Sequence, residues 1–169
     1  APGHYAFAEM DNLLAFAQAN GMSVRGHPPV WHRQLPDWIL NTPVGEREGH
    51  MREFIARIVE RYADGIAYWD VVNEPIAEDG SLRSSIWSQS MGEDYIDVAF
   101  RQARALDPDA TLVLNEFDIA FAGPKFDALL ALIDRLLERD VPVDAIGFQL
   151  HLFASYDTYD ELAAHMSAV

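Results

Sequence analysis

The sequence predicts an α/β fold: four parallel strands with flanking helices, forming part of a (β/α)8 barrel that does not close within this chain. Three observations predict it. Short runs rich in β-branched and aromatic residues alternate with helical patterns along the whole chain. The runs are nearly continuous in apolar character, as strands buried on both faces are. The βα unit recurs roughly every forty residues, the scale of a large barrel with elaborated loops. Strict alternation implies a parallel sheet with right-handed crossovers. Four strands cannot close a barrel. The expectation is therefore one partial domain, residues 1–169, truncated at both ends; an open, doubly wound sheet is the alternative.

Each element has its own signal. Met10, Leu13, Leu14 and Ala17 form a first helix closed by Asn20-Gly21. "MSVRGH" (22–27) is the first strand. Met51, Phe54, Ile55, Ile58, Val59 and Tyr62 form one apolar stripe, with Gly65 as its stop. "IAYWDVVNE" (66–74) is the second strand, and Pro75 shuts it. Ile96, Ala99, Phe100 and Ala103 make a weaker stripe ending near Asp107-Pro108. "TLVLNEF" (111–117) is the third strand. Phe126, Leu129, Leu130, Ile133, Leu136 and Leu137 follow Pro124 as another helix. "AIGFQLHLF" (145–153) is the fourth strand, and Asp157 is the N-cap of a last helix.

Composition limits the function. The 169 residues suffice for one core and half are hydrophobic. A net charge of -15 disfavours nucleic acid and anionic membranes, and suits a neutral substrate. There is no cysteine, which excludes disulfides and thiolate metal sites. No apolar run approaches a membrane span, and the N-terminal residues lack a signal-peptide pattern.

The chemistry gathers at the strand ends. They read His27 with Trp31 and His32; Asn73 and Glu74; Asn115, Glu116 and Asp118; Gln149 and His151. Parallel βα folds place reactive groups at these ends, and nothing at the strand starts matches them. A hydrogen-bonded rim that only anchors loops is the bland alternative. Pro75 biases Glu74 toward extended backbone at the mouth of the sheet. A partly desolvated carboxyl beside other acids titrates high, as a general acid near neutral pH must. Asn73 can donate to a substrate hydroxyl. "IAEDGSLRSS" (76–85) reads as a long loop, which argues against Glu74 as a helix cap. "VWHRQLPDW" interleaves Trp31 and Trp38 with His32 and Gln34, a mixture of flat apolar rings and polar donors that suits a sugar. Trp38 fits core as well as site; Trp31 fits the site better.

The runs "VRGHPPVWHRQLPDW", "YWDVVNEP", "LVLNEF" and "IGFQLHL", in this order, resemble glycoside hydrolase family ten, the retaining endo-1,4-β-xylanases of (β/α)8 fold. The resemblance covers essentially the whole chain. It implies that the four strands are the third to sixth of the barrel. Glu74 then matches the general acid/base and Asn73 the residue that binds the sugar 2-hydroxyl. His27, Trp31 and Gln34 match sugar contacts on the glycone side. His151 matches the histidine that hydrogen-bonds the nucleophile, and Gln149 lines the same site. His32, Asp70 and Glu116 are assigned support. The family's nucleophile is a glutamate in a "TELD"-like run on the seventh strand, and no such run occurs here. Pro28-Pro29 stands in place of the usual Thr-Leu, and "LNEFDIA" where many members have "INDYN".

The resemblance implies cleavage of internal β-1,4 bonds of xylan or xylo-oligosaccharide, with no metal or cofactor, and secretion toward a polymeric substrate. Without its nucleophile strand the isolated chain is expected to be inactive. Glu116 serving as the second carboxylate is a weaker alternative. A metal-dependent barrel hydrolase, with His27, His32, Glu74, Asp118 and His151 as ligand types, is a rival. So is a carbohydrate-binding fragment without turnover, or a chain that self-associates through unclosed barrel edges.

Overall fold

The computed structural model describes residues 3–151 and 159–168. Four strands make one sheet in the order β1-β2-β3-β4. They are β1 (Val24–Gly26), β2 (Ile66–Asn73), β3 (Thr111–Phe117) and β4 (Ala145–Gln149), and each pair is parallel. α1 (Ala8–Ala19) precedes β1. α2 (Asp37–Leu40), a 3-10 turn at Val44–Glu46 and α3 (Arg47–Tyr62) lead to β2. α4 (Ile86–Met91) and α5 (Asp94–Leu106) lead to β3, α6 (Pro124–Glu138) to β4, and α7 (Tyr159–Met166) follows. Among the described residues the sheet stays open, as expected of a partial barrel.

The strands are shorter than their sequence signals. The first covers three residues of the expected 22–27, because the chain then leaves the sheet toward Val30. The fourth ends at Gln149; the rest of its expected run beyond His151, and the Asp157 cap, lie outside the described residues. The loop 76–85 is present, and α4 begins only after it. α4 had no apolar stripe to reveal it. Its start is a capping box in which Ser85 Oγ accepts from the Ser88 amide and Ser88 Oγ accepts from the Ser85 amide.

The core lies between the sheet and α3, α5 and α6. Met51, Ile55, Val59 and Tyr62 of α3 are buried, as are Ile96, Ala99, Phe100 and Ala103 of α5. On α6 the buried line is Phe126, Leu129, Leu132 and Leu136. Leu137, assigned to that stripe by sequence, is 53% exposed. Leu132 takes the inward place because 126, 129, 132 and 136 follow the i, i+3 and i+4 spacing of one face.

Two register features shape the concave face. Asp70 pairs with Val113, but Asn73 pairs with Asn115, so three steps on β2 match two on β3. This bulge resets the alternation of β2, and Asp70 and Asn73 both face the concave side. Gly147 lies opposite Asn115. A Cβ there would stand 2.3 Å from Asn115 Oδ1 and 2.6 Å from an Arg25 nitrogen. Glycine is thus required where Arg25 and Asn115 reach across the face. On the other side of the sheet, a Cβ on Gly26 would fall 2.1 Å from the Trp69 ring.

Candidate active site

The site assembles from the strand ends upward. After β1 the chain bridges back onto β2: the Val30 amide donates to the Val71 carbonyl, and the Asn73 amide to the Val30 carbonyl (3.2 and 2.9 Å). This lays Trp31 and His32 over the end of β2. Trp31 Nε1 donates to Glu74 Oε2 at 2.9 Å. From the opposite side, Gln149 Nε2 donates to Glu74 Oε1 at 3.4 Å. The Glu74 carboxyl is therefore bracketed by neutral donors from the segment after β1 and from β4.

The backbone of Glu74 is not extended. Its φ is +57°, although Pro75 follows. The steric bias of proline is overridden by hydrogen bonds: the Glu74 amide donates to the Asn115 carbonyl at 2.8 Å, and Arg83 Nε donates to the Glu74 carbonyl at 2.9 Å. Gln34 and Asp118 also have left-handed backbones, at φ +56° and +53°. Asp140, just past α6 and away from the site, shares this conformation at φ +53°.

Asn73 is buried and doubly held. Its Oδ1 accepts from Asn115 Nδ2 and from Gln149 Nε2, both at 2.8 Å. Those bonds orient the amide and leave Asn73 Nδ2 buried without a partner among the described residues. His151 Nε2 donates to Gln149 Oε1 at 3.1 Å. A chain of polar contacts thus runs from His151 through Gln149 to Asn73 and Glu74.

His27 and Asp70 form a second cluster. His27 Nδ1 donates to Asp70 Oδ2 at 2.8 Å, and Arg25 Nε donates to Asp70 Oδ1 at 2.8 Å. Asp70 is buried. Its Oδ2 accepts from the imidazole and so fixes the orientation of the ring. The His27 ring stands 6.3 Å from the Trp31 ring. His32 is half-buried, with Nδ1 3.9 Å from Glu74 Oε2. Burial first, and the Arg83 charge second, hold its pKa below the ordinary histidine value, so its ring is neutral at neutral pH.

Gln34 touches none of these groups by a hydrogen bond. It lines a cavity of about 530 Å³ shared with His27, Trp31 and Trp38. Trp38 is half-buried there, edge-on to His50 at 5.1 Å; its ring forms part of the cavity wall and also packs against the core.

Glu116 points the other way. It is fully buried on the helix side of β3. Lys125 Nζ lies 3.0 Å from its Oε1, and the amides of Phe117 and Ile76 donate to it at 2.9 and 3.1 Å. Burial pushes its pKa up, and Lys125 offsets part of that. The alternation of β3 explains the outcome: Asn115 faces the mouth, so its neighbour faces away. Its support is structural, and it is not placed to act on a ligand beside Glu74. The five ligand types of the metal reading do not converge either: among the described residues no group of three or more His, Asp or Glu is placed to hold an ion.

Several participants escaped the sequence reading. Asn115 was noted only as a polar strand end, yet it fixes Asn73. Arg25 sits inside a strand signal. Trp87 Nε1 donates to the Trp31 carbonyl at 2.7 Å and so props the segment above Glu74. Arg83 sits in a loop with no periodicity to mark it.

Comparison with known proteins gives a consistent result. The family model described as Glycosyl hydrolase family 10 matches residues 1–169. Endo-1,4-beta-xylanase C of Paenibacillus barcinonensis is 40% identical over 170 residues, covering 89% of this chain and 16% of that protein. Endo-1,4-beta-xylanase A of Phanerodontia chrysosporium is 39% identical, covering 88% of this chain and 37% of that protein. Among solved structures, native xylanase 10B from Thermotoga maritima superposes with a TM-score of 0.94 at 35% identity, covering 98% of this chain and 52% of that one. Xylanase 10B from Thermotoga petrophila RKU-1 in complex with xylobiose gives 0.95 at 34% identity, with 98% and 51% covered. The chain spans about half the length of these solved chains, and less of the curated relatives.

Proposed function

Because this chain belongs to glycosyl hydrolase family 10, we propose that it contributes the acid/base half of a retaining endo-1,4-β-xylanase site. The observation that carries the reading is the end of β2. There the Glu74 carboxyl is held by Trp31 and Gln149, beside a buried amide donor of Asn73 that has no protein partner among the described residues. A carboxyl fixed at both oxygens is aimed at one place. A donor left over in a polar cleft is matched by a ligand oxygen.

In this reading Glu74 protonates the bridging oxygen as the bond between two sugars breaks. A second carboxylate takes the anomeric carbon and forms the glycosyl-enzyme. Glu74, now ionised, then removes a proton from water, which releases the sugar with its configuration retained. Asn73 Nδ2 donates to the 2-hydroxyl, an interaction that strengthens in the transition state. His27, with its Nδ1 committed to Asp70, presents Nε2 to the glycone side together with Trp31 and Gln34. His151, beside Gln149, takes the role of hydrogen-bonding the nucleophile in this reading.

The second carboxylate comes from outside these 169 residues. Glu116 is sealed by Lys125, and Asp70 is held by Arg25 and His27. The xylobiose complex of the Thermotoga petrophila enzyme supports the choice of xylan. Reducing-sugar release from xylan is the test. The intact protein should release sugar and lose that activity on Glu74→Gln, while the isolated chain releases none. Hydrolysis by the isolated chain, abolished by Glu74→Gln, would overturn the assignment of an external nucleophile. Full activity of intact Glu74→Gln would overturn the acid/base role.

A further inference from the structure

The carbonyls of the turn that carries Glu74 are held by one residue. Glu74 adopts φ +57° immediately before a proline, a conformation that an ordinary residue leaves unless it is held. The three carbonyls of this turn, at residues 74, 75 and 76, all accept hydrogen bonds from Arg83. Its Nε donates to the Glu74 carbonyl at 2.9 Å, its backbone amide to the Pro75 carbonyl at 2.8 Å, and its Nη2 to the Ile76 carbonyl at 2.6 Å.

Arg83 is itself fixed. Its side chain is only 14% exposed and pairs with Glu78 at 3.1 Å. Its guanidinium lies 5.5 Å from the centre of the Phe117 ring, and the Lys125 ammonium stands 3.3 Å from the same centre. Behind that ring, the Ile76 amide donates to Glu116. The turn is thus clamped at its carbonyls by Arg83 and at an amide by Glu116.

We propose that Arg83 is a positioning residue for the acid/base. By receiving the carbonyls of 74 and 76 on one planar fork, it keeps the Glu74 carboxyl aimed at the oxygen between two sugars. The proposal rests on the acid/base reading of Glu74. It assigns Arg83 no contact with substrate. The planar fork matters more than the charge, because an ammonium cannot span two carbonyls in fixed directions.

The test uses the intact protein and two substrates, xylan and an aryl xylobioside with a strongly acidic phenol as leaving group. The phenolate departs without being protonated, so the first step of that reaction does not need Glu74. Its second step does, because water must give up a proton to attack. Azide needs no base: it attacks the glycosyl-enzyme, the bond to the nucleophile carboxylate breaks, and a glycosyl azide leaves. Arg83→Ala should lower kcat on xylan about a hundredfold, as a displacement of about 1 Å does, with KM little changed. It should slow the aryl substrate less, and azide should restore part of that turnover. Arg83→Lys should fall between, and reads the same contrast if Arg83→Ala does not fold. Wild-type kinetics in both variants, or equal losses on both substrates without azide rescue, overturn the proposal. Glu74→Gln is run alongside. If it behaves as wild type, the acid/base reading has failed first, a distinct result.

Discussion

Glu74 and Glu116 are the same residue type at the ends of neighbouring strands, yet they meet opposite environments. Glu74 faces the mouth and is held by two neutral donors, an indole N–H and a primary amide. Glu116 is fully buried behind the sheet and is held by an ammonium and two backbone amides. The difference is one of strand phase. Asn73 and Asn115 are in register and face the mouth together. Glu74 leaves the sheet by a left-handed turn and stays with them, whereas Glu116 remains in β3 and alternates away. A carboxylate at a strand end is thus not by itself a catalytic candidate. What its oxygens touch separates a candidate proton carrier from a structural anion.

Removing each carboxylate function breaks this comparison in a different observable. Glu74→Gln in the intact protein should lower xylan hydrolysis by about 100- to 10,000-fold. Its thermal midpoint should stay within a few degrees of wild type, since the amide keeps the shape and its single oxygen keeps one of the two accepted hydrogen bonds. An unfolded Glu74→Gln would make Glu74 a structural residue like Glu116. Lys125→Met should act on stability instead, costing about 3–5 kcal/mol because it strands a buried carboxylate. Denaturant unfolding measures this, and an unchanged midpoint would mean that the ion pair does not hold the back of the sheet.

Smaller effects sharpen the same contrast. Asn73→Ala should reduce kcat on xylan about a hundredfold through the lost 2-hydroxyl contact, and should reduce it less on a 2-deoxy aryl glycoside. Equal losses on both substrates would show that Asn73 serves only to hold Gln149. Gly26→Ala, behind the sheet, should cost about 1–3 kcal/mol by forcing the Trp69 ring to move. Thermal denaturation would reveal it.

The smallest effect is a pH slope. The folded pKa of His32 lies below 6.5, the ordinary value, chiefly through burial. As pH falls through 6.5, the unfolded chain binds a proton there that the folded chain does not, so stability is lost toward acid. Stability curves between neutral pH and pH about 5 should flatten in His32→Gln. An unchanged slope would assign the acid sensitivity to other groups.

The order of strands and helices was legible in the residues because burial on both faces leaves an apolar run, and burial on one leaves a stripe. β2 and β3, the buried line of α5, and that of α3 apart from Phe54, which is 38% exposed, follow from that physics alone. So does the polarity of the strand ends, since parallel strands must deliver their last residues to one side. The seven-residue run "WDVVNEP" makes Glu74 and Asn73 candidates without coordinates. Other features depend on distance. The bulge at Asp70–Val72 arises from matching two strands, and no local spacing announces it. The left-handed turn at Glu74 runs against the local preference of a residue before proline; a hydrogen bond donated to the Asn115 carbonyl and one accepted from Arg83 impose it from distant points of the chain. Trp31 reads as a sugar platform because its ring is apolar, but the fold also uses its N–H on Glu74. Local chemistry sets what a segment can become. Long-range donors and acceptors, which carry no periodicity, choose the direction in which each functional group points.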